Sequence, residues 1–380
     1  MTGNRPHPQI TQLQADPHLL IDTMLTGDRR VLLVGPPGAG KSTLVDGLTT
    51  TLLQRGRRCH CLGADPGSPL FGVPGAVCLG RREGTLWTVE AIEALCTLDA
   101  GRFRLPLVAA IRRLAARVAD GVLLVDGPGV VRGVAGAELL SAVVDAAAID
   151  VVLVLTRAGR TLPLWQELQA LPVEVYAVPA AQEASRPGKR ARASRRTGLW
   201  DDYLGGAGEV VLDTRQLTLT GTPPPLDVPG SWTGRQVALL HDAETLAMGE
   251  VLALEGERLR LRLPADVGHA RSLLVRDAAR RADGRLGTLE RFAADRFTYL
   301  PPADIAPHAP LTAVTGPRPA GRVGGLSVCL VNGVLGDPLL HVRLRHRRRS
   351  LLFDLGEGAR LPARIAHQVS DVFISHAHVD

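Results

Sequence analysis

The consecutive residues Gly35-Pro36-Pro37-Gly38-Ala39-Gly40-Lys41-Ser42-Thr43 combine glycines, a lysine and two hydroxyls in an order that suits phosphate chemistry. Glycines let successive backbone N–H groups turn towards one point, and such a concavity binds anions. Lys41 is a mobile point charge able to reach the β- and γ-phosphates of a nucleotide, and the Ser42 hydroxyl is a hard ligand for Mg²⁺. The flanks complete the pattern. Val31–Val34 is an apolar run, and Leu44-Val45-Asp46-Gly47-Leu48 opens a helical period. Strand, glycine turn, Lys-Ser and helix make a phosphate-binding loop, with the positive end of the helix dipole facing the ligand. Gly35 to Thr43 are therefore the candidate nucleotide-binding residues.

Two carboxylates and a basic run extend this chemistry. Gly121-Val-Leu-Leu-Val125-Asp126 is an apolar run closing on an acid. At the C-terminal end of a parallel strand beside the loop, Asp126 would support Mg²⁺; the competing role is a helix cap. Asp65 ends another run, in Gly63-Ala-Asp65-Pro66-Gly67-Ser68. A doubly wound sheet is expected to set that strand next to the phosphate-loop strand, so that Asp65 accepts a proton from an attacking hydroxyl or helps to position the metal. Asp-Pro-Gly suits an Asx turn equally well, and spacing leaves both readings open. The segment 185–196 carries Arg186, Lys189, Arg190, Arg192, Arg195 and Arg196. It reads as a solvated face, a nucleic-acid contact, or a lid that neutralises a transferring phosphoryl group. Its place after the last parallel strand favours the lid. A guanine-specific site would carry Asn-Lys-x-Asp where Thr156-Arg-Ala-Gly159 stands. Cys59-His60-Cys61 lacks a second ligand pair, and reads as one buried and one exposed thiol on a strand.

These residues need a scaffold, and the 380-residue chain can supply several domains. At 45% hydrophobic and 22% charged residues it is globular in composition. No apolar run approaches a membrane span, and the Met1 end has no apolar signal core. Five cysteines fit a reducing cytoplasm better than a disulfide framework. The net charge of +6 is compatible with a phosphate-rich partner and equally with arginine-rich coding. Aromatic residues are only 3%, which argues against a base-stacking platform. Residues 1–30 read as a lead-in with a short helix around Pro17–Leu25. Residues 31–208 alternate strands (Val31–Val34, Arg58–Gly63, Gly121–Val125, Asp150–Leu155, Val173–Val178) with helices (Lys41–Arg55, Leu105–Ala119, Gly136–Ala148). That alternation gives an α/β class, a P-loop doubly wound parallel sheet. Residues 209–300 turn to period two, as in Arg258-Leu-Arg-Leu-Arg-Leu263, and read as a small antiparallel β domain. Residues 301–325 read as a linker. Residues 326–380 form a third unit with strands at Leu326–Asn332, Leu339–Leu344, Ser350–Asp354 and Asp371–Ser375.

The first two domains resemble the polynucleotide 5′-hydroxyl kinases that act in eukaryotic RNA 3′-end and ribosomal-RNA processing, with archaeal and bacterial relatives. Asp65-Pro-Gly-Ser-Pro-Leu-Phe-Gly-Val-Pro-Gly75 is similar to that family's Asp-x-Gly-Gln segment. Thr97-Leu-Asp-Ala-Gly-Arg-Phe103 resembles its clasp, and Val125-Asp-Gly-Pro-Gly-Val-Val-Arg-Gly133 its metal-side turn. Arg192-Ala-Ser-Arg-Arg196 followed by Trp200-Asp-Asp-Tyr203 resembles the arginine lid, and Val237–Val251 the small β domain. The resemblance runs collinearly from about residue 25 to about 300. It implies ATP- and Mg²⁺-dependent phosphorylation of a nucleic-acid 5′-OH, RNA ahead of DNA. Lys41, Asp65, Arg192 and Arg196 would be catalytic, and Ser42 and Asp126 would hold Mg²⁺. Ser68 replaces the usual Gln, Leu98 the clasp Ser, and Val130 a Trp that packs on a substrate base, a stacking face worth about 1–3 kcal/mol.

The tail resembles metallo-β-lactamase-fold hydrolases of the RNase Z type, through Phe353-Asp-Leu-Gly-Glu-Gly358 and Ser375-His376-Ala-His378-Val-Asp380. His376, His378 and Asp380 are candidate ligands of an incomplete dinuclear Zn²⁺ or Mn²⁺ site. The expectation is a kinase fused to the truncated start of a nuclease. The basic run Arg343–Arg349 reads either as a nucleic-acid contact or as a solvated strand face. Two rival functions stay open: a non-catalytic ATP-binding scaffold, and an NTPase regulating an attached metallo-hydrolase.

Overall fold

The computed structural model describes residues 10–24, 26–156, 162–181, 184, 187–264, 267–289, 318–335, 337–347, 349–356 and 358–375. The chain forms two compact units, one ending at Ala294 and the other beginning at Asp295. Along the first unit run β1 (Thr11–Gln12), α1 (Pro17–Met24), β2 (Arg30–Val34), α2 (Lys41–Gln54), β3 (Cys59–Gly63), β4 (Ala76–Glu83), β5 (Leu86–Ala94), α3 (Arg104–Ala115), β6 (Val122–Asp126), α4 (Gly133–Ala146), β7 (Val151–Thr156), α5 (Trp165–Ala170), β8 (Glu174–Pro179) and α6 (Lys189–Tyr203).

The first eight strands make one sheet in the order β1-β8-β7-β2-β6-β3-β4-β5. Its central strands are buried along nearly their whole length, as expected when helices cover both faces. Alternate residues serve two cores. Val31, Leu33, Leu124 and Leu153 face Leu20, Met24, Val45 and Leu48 of α1 and α2. Leu32, Val34, Leu123, Val125 and Val152 face Leu107, Ile111, Leu114, Leu139 and Val143 of α3 and α4. In α3 the buried set Leu107, Ala110, Ile111 and Leu114 follows helical spacing, and truncating such a leucine to alanine costs about 2–5 kcal/mol.

Three sequence expectations change here. The sheet is not wholly parallel: β4 and β5 form an antiparallel hairpin at its edge, Ala76 opposite Ala94 and Glu83 opposite Leu86. Its glycine- and arginine-containing strands carry no clean alternation. Next, β3 does not lie beside the phosphate-loop strand. β6 pairs with β2 on one side and β3 on the other, because a crossover can skip a place in the sheet. Finally, Cys59 and Cys61 are both buried. Residues two apart in a strand share a face, so it is His60 that turns outward, 3.1 Å from Glu90.

The first unit continues with β9 (Gly208–Asp213), β10 (Thr218–Gly221), β11 (Arg235–His241), β12 (Glu244–Glu255), β13 (Arg258–Leu263), β14 (Ser272–Arg280) and β15 (Leu286–Thr288). They form a second sheet, β10-β14-β11-β12-β13-β9, with β15 added to β14. It is antiparallel except for the parallel pair β10 and β14. One face closes its own core of Trp232, Val237, Leu239, Leu261 and Leu273. Ala238, Met248, Leu274 and Leu286 join the core containing Phe71, Ala94, Trp200 and Leu204. The second sheet is thus packed onto the first, and the basic run that breaks the strand–helix pattern lies mostly in α6.

The second unit is a five-stranded sheet of β16 (Ala320–Val323), β17 (Leu326–Leu330), β18 (Leu340–Leu344), β19 (Arg349–Phe353) and β20 (Val369–Phe373), with the short α7 (Ala363–Ala366) before β20. β19 and β20 are parallel and the other pairs antiparallel. β16 falls inside the stretch expected to be linker; its Ala-Gly-Arg-Val sequence has no strand signal of its own and acquires one by pairing with β17.

Candidate active site

The donor side is built by one strand–turn–helix. Gly40, which precedes α2, has φ 92°, a conformation that side chains resist. Lys41 is only 7% exposed, and its Nζ donates to the carbonyl of Gly35 at 2.9 Å. An ammonium has three donors, so two more serve a phosphate ligand. Ser42 Oγ donates to Asp126 Oδ2 at 2.7 Å. That contact follows from the strand order: β6 adjoins β2 with Asp126 opposite Leu33.

Asp126 is 2% exposed, and burial pushes its carboxyl up to about 6. Lys41 and the Ser42 hydrogen bond oppose that shift, while Asp65 adds to it. Its Oδ1 is buried and has no hydrogen-bond partner. An unsatisfied carboxylate oxygen beside a serine hydroxyl at a phosphate loop fits a hard divalent cation that takes its other ligands from water and phosphate. Asp126 is therefore not spent on capping a helix.

The other side of the cleft, where an acceptor would sit, comes from distant segments. Asp65 follows β3, and the N–H of its neighbour Ala64 donates to the Asp126 carbonyl at 3.0 Å. Asp65 Oδ1 accepts from the N–H groups of Gly67 and Ser68, each at 3.1 Å. The Asx turn is formed, and Asp65 lines the cleft as well, so the turn does not remove this carboxylate from the site. A Cβ on Gly67 would collide with the Leu98 carbonyl, so this turn lies directly against residues 97–103. There Asp99 Oδ1 accepts from Gly101 and Arg102 N–H at 3.0 and 3.1 Å. Arg102 Nη1 pairs at 2.6 Å with Asp277 of β14, itself 4% exposed. The guanidiniums of Arg102 and Arg276 each lie 5.1 Å from the Phe103 ring centroid.

The α6 helix supplies the arginines. Arg192, Arg195 and Arg196 share one face at helical spacing and line the cleft. Arg196 Nε donates to the Leu286 carbonyl at 2.8 Å; burial, then Arg192 and Arg281, push its guanidinium below the usual arginine range. Arg192 Nε is buried without a hydrogen-bond partner. Arg195 donates to the Leu70 carbonyl at 3.1 Å, and its charge reaches Asp126. The far end of α6 is anchored to the second sheet: Trp200 Nε1 donates to Glu250 at 2.7 Å, and Tyr203 Oη accepts from Met248 N–H at 3.0 Å.

Together these residues surround a cleft of about 1030 Å³, large enough for a nucleotide and the end of a second molecule. Lys41, Ser42, Asp65, Asp126, Arg192 and Arg196 all meet there. Sequence reasoning named Arg195 in the basic run but gave it no place in the site, although the i, i+3, i+4 pattern from Arg192 contains it. It also passed over Asp99 and Thr288, both of which line the cleft. Arg186, His376, His378 and Asp380 lie outside the described residues. Among the described residues no group of three or more His, Cys, Asp or Glu could hold a metal ion, and no helix is long and apolar enough to cross a membrane.

Residues 35–206 match the family model for the mRNA cleavage and polyadenylation factor CLP1 P-loop. The chain is 24% identical over 199 residues to a polyribonucleotide 5′-hydroxyl-kinase of Pyrococcus horikoshii, covering 50% of this chain and 54% of that protein. Its identity to a polyribonucleotide 5′-hydroxyl-kinase of Thermococcus kodakarensis is 26% over 200 residues, covering 50% and 56%. It thus spans about half the length of the curated relatives it matches. The solved structure of a wild-type Clp1p–Pcf11p (454–563) complex is similar with a TM-score of 0.55 at 15% identity, covering 67% of this chain and 75% of that one. That likeness is one of fold: an α/β P-loop architecture.

Proposed function

We propose that this chain is a cytoplasmic, ATP-dependent polynucleotide kinase that phosphorylates the 5′-hydroxyl end of RNA, and of DNA less readily. The observation that carries the reading is the convergence, in one cleft, of a phosphate loop, a proton-accepting carboxylate and an arginine face. The archaeal relatives, polyribonucleotide 5′-hydroxyl-kinases by name, supply the acceptor class. Backbone N–H groups from Gly38 to Thr43, beyond the two prolines that lack one, and the Lys41 ammonium hold the triphosphate. Ser42 and Asp126 would hold Mg²⁺, which supplies charge neutralisation on the phosphate oxygens. Asp65 is fixed through Oδ1 by its turn and receives the 5′-hydroxyl proton. The hydroxyl oxygen forms its bond to the γ-phosphorus as the bond to the β–γ bridging oxygen breaks, and ADP leaves. Arg192 and Arg196, with Arg195 beside them, neutralise the oxygens in transfer.

The test is ADP formation with and without a 5′-OH oligoribonucleotide. The kinase reading expects turnover that depends on the acceptor. Acceptor-independent hydrolysis supports a regulatory NTPase, and tight ATP binding without ADP supports a scaffold. Val130 lines the cleft where the resemblance expects an aromatic face, and this favours the scaffold as the second reading. The tail carries a separate proposal. Asp354 accepts from Ser375 N–H at 2.7 Å and from Ser375 Oγ at 2.8 Å, which ties Phe353-Asp-Leu-Gly-Glu-Gly to the residue preceding His376. This contact brings together the two stretches that carry the resemblance to a metallo-hydrolase; Zn²⁺ or Mn²⁺ binding there is tested by metal analysis of the chain with and without His376→Ala and His378→Ala.

A further inference from the structure

The basic turn of the second unit is not absorbed by the reading above. The register of that sheet turns it from a charge run into a surface. Arg322 of β16 stands opposite Ser327 of β17, Ser327 opposite Arg343 of β18, and Arg343 opposite Ser350 of β19. Partners across a sheet share a face, so the row reads arginine, serine, arginine, serine on one side. Strands lie about 4.8 Å apart, which sets Arg322 and Arg343 about 10 Å apart with a hydroxyl between them. Ser350 is buried and donates its hydroxyl to the Gln368 carbonyl at 3.0 Å, so the arginine end of the row is the open one. Arg345, two residues beyond Arg343, extends the same face, its N–H donating to the Gly325 carbonyl at 2.9 Å. Arg347 and Arg349 are exposed around the turn.

Among the described residues the charge on this face has no carboxylate paired with it. In the first unit arginines are commonly paired, as in Arg29 with Glu174, Arg82 with Asp46, Arg113 with Glu93 and Arg280 with Glu250. Among the described residues none of Arg322, Arg343, Arg345, Arg347 and Arg349 forms an ion pair. Asp337 is the one carboxylate residue between Arg318 and Arg349 in the sequence. Guanidiniums at strand spacing offer forked donors to a line of phosphates, the hydroxyl between them adds a single donor, and the row itself contains no carboxylate to compete for them.

We infer that the β16–β18 part of this face of the second unit binds the phosphate backbone of single-stranded RNA. The surface reads no sequence, because phosphate contacts position a strand without specifying bases. Its role is to hold a polynucleotide that the cleft of the first unit treats only at its end. In this it rests on the kinase reading for its purpose, but not for its test.

That test uses the full chain, without ATP, and a long single-stranded RNA labelled at its 3′ end. Binding is followed by fluorescence anisotropy between about 50 and 200 mM salt. Replacing Arg322, Arg343 and Arg345 together by Gln should weaken binding at least tenfold at low salt. It should also flatten the slope of log affinity against log salt by about 2, since each neutralised phosphate contributes about 0.7 for single strands. The corresponding triple Lys variant should keep the slope. Both results are independent of phosphoryl transfer, so a failed kinase reading leaves them standing. Wild-type affinity and slope in the Gln variant would overturn the proposal. So would equal losses in the Gln and Lys variants, or Gln substitutions that abolish binding to anionic vesicles while RNA binding persists.

Discussion

The two sides of the cleft are built in opposite ways. The donor side is local: β2, the turn from Gly35 and the start of α2 lie within a few residues of one another. Its only distant part, Asp126, arrives through the adjacent strand β6. The acceptor side is assembled from the turn at Asp65, the segment 97–103, the arginine face of α6 and β15, and much of it leans on the second sheet. Arg102 is tied to Asp277 of β14, Arg196 to the carbonyl of Leu286 in β15, and Trp200 to Glu250 of β12. The difference teaches that grasping a triphosphate needs only one supersecondary motif. Directing it to a hydroxyl, as the kinase reading has it, would need the rest of the unit.

Substitutions can break that comparison. Lys41→Ala removes a charge that only the donor side uses. It should abolish transfer, by about 10³-fold or more, and weaken ATP binding, as read by single-turnover kinetics and nucleotide titration. Asp65→Asn should lower kcat by about 10²–10⁴-fold while ATP affinity stays near wild type, because an amide oxygen can still accept the turn's N–H groups but cannot take the proton. Equal losses in ATP affinity would place Asp65 on the donor side instead.

Asp126 sharpens the comparison through pH. Burial raises its acid from 3.8 to about 6, so the folded protein holds this proton more tightly than the unfolded chain does. Folding stability from this group therefore falls as pH rises from about 4 to about 6, and above that it is a standing cost of up to about 3 kcal/mol. Without divalent cation, Asp126→Asn should raise the melting temperature at pH 7 and remove this pH dependence. With cation, it should lose transfer activity, and wild-type activity should fall only at a pH below about 6, since a bound cation favours the ionised carboxylate. The smallest effect is expected at the joint. Asp277→Asn should raise the KM for acceptor about tenfold and leave the KM for ATP unchanged, since the clasp loosens while the phosphate loop does not move.

Much of the donor side was legible in the sequence because its chemistry is written in consecutive residues. Gly40, Lys41 and Ser42 sit where strand–turn–helix logic puts them, and Val125-Asp126 ends a strand buried on both faces. The acceptor side was legible residue by residue but not as an assembly. Asp65 was correctly placed at the cleft through a wrong intermediate, since β3 reaches the crevice beside β6 and not beside β2. Nothing in the sequence near Asp99 or Arg102 announces a partner on β14, because ion pairs across about 175 residues leave no local period. Arg195 was hidden in plain composition: a basic run shows charge, and only its helical phase shows which charges share a face. The hairpin β4–β5 and the strand β16 escaped because glycine and arginine blur alternation, and both are fixed by pairing rather than by propensity.

The most direct test of the central claim is where the phosphate goes. The chain would be incubated with γ-labelled ATP, Mg²⁺ and a 5′-OH oligoribonucleotide, and the product digested to locate the label. The kinase reading expects label only on the 5′-terminal nucleotide, absent with Lys41→Ala and with an acceptor already phosphorylated at its 5′ end. Label released solely as inorganic phosphate, or ATP held without turnover under all acceptor and salt conditions, would contradict it.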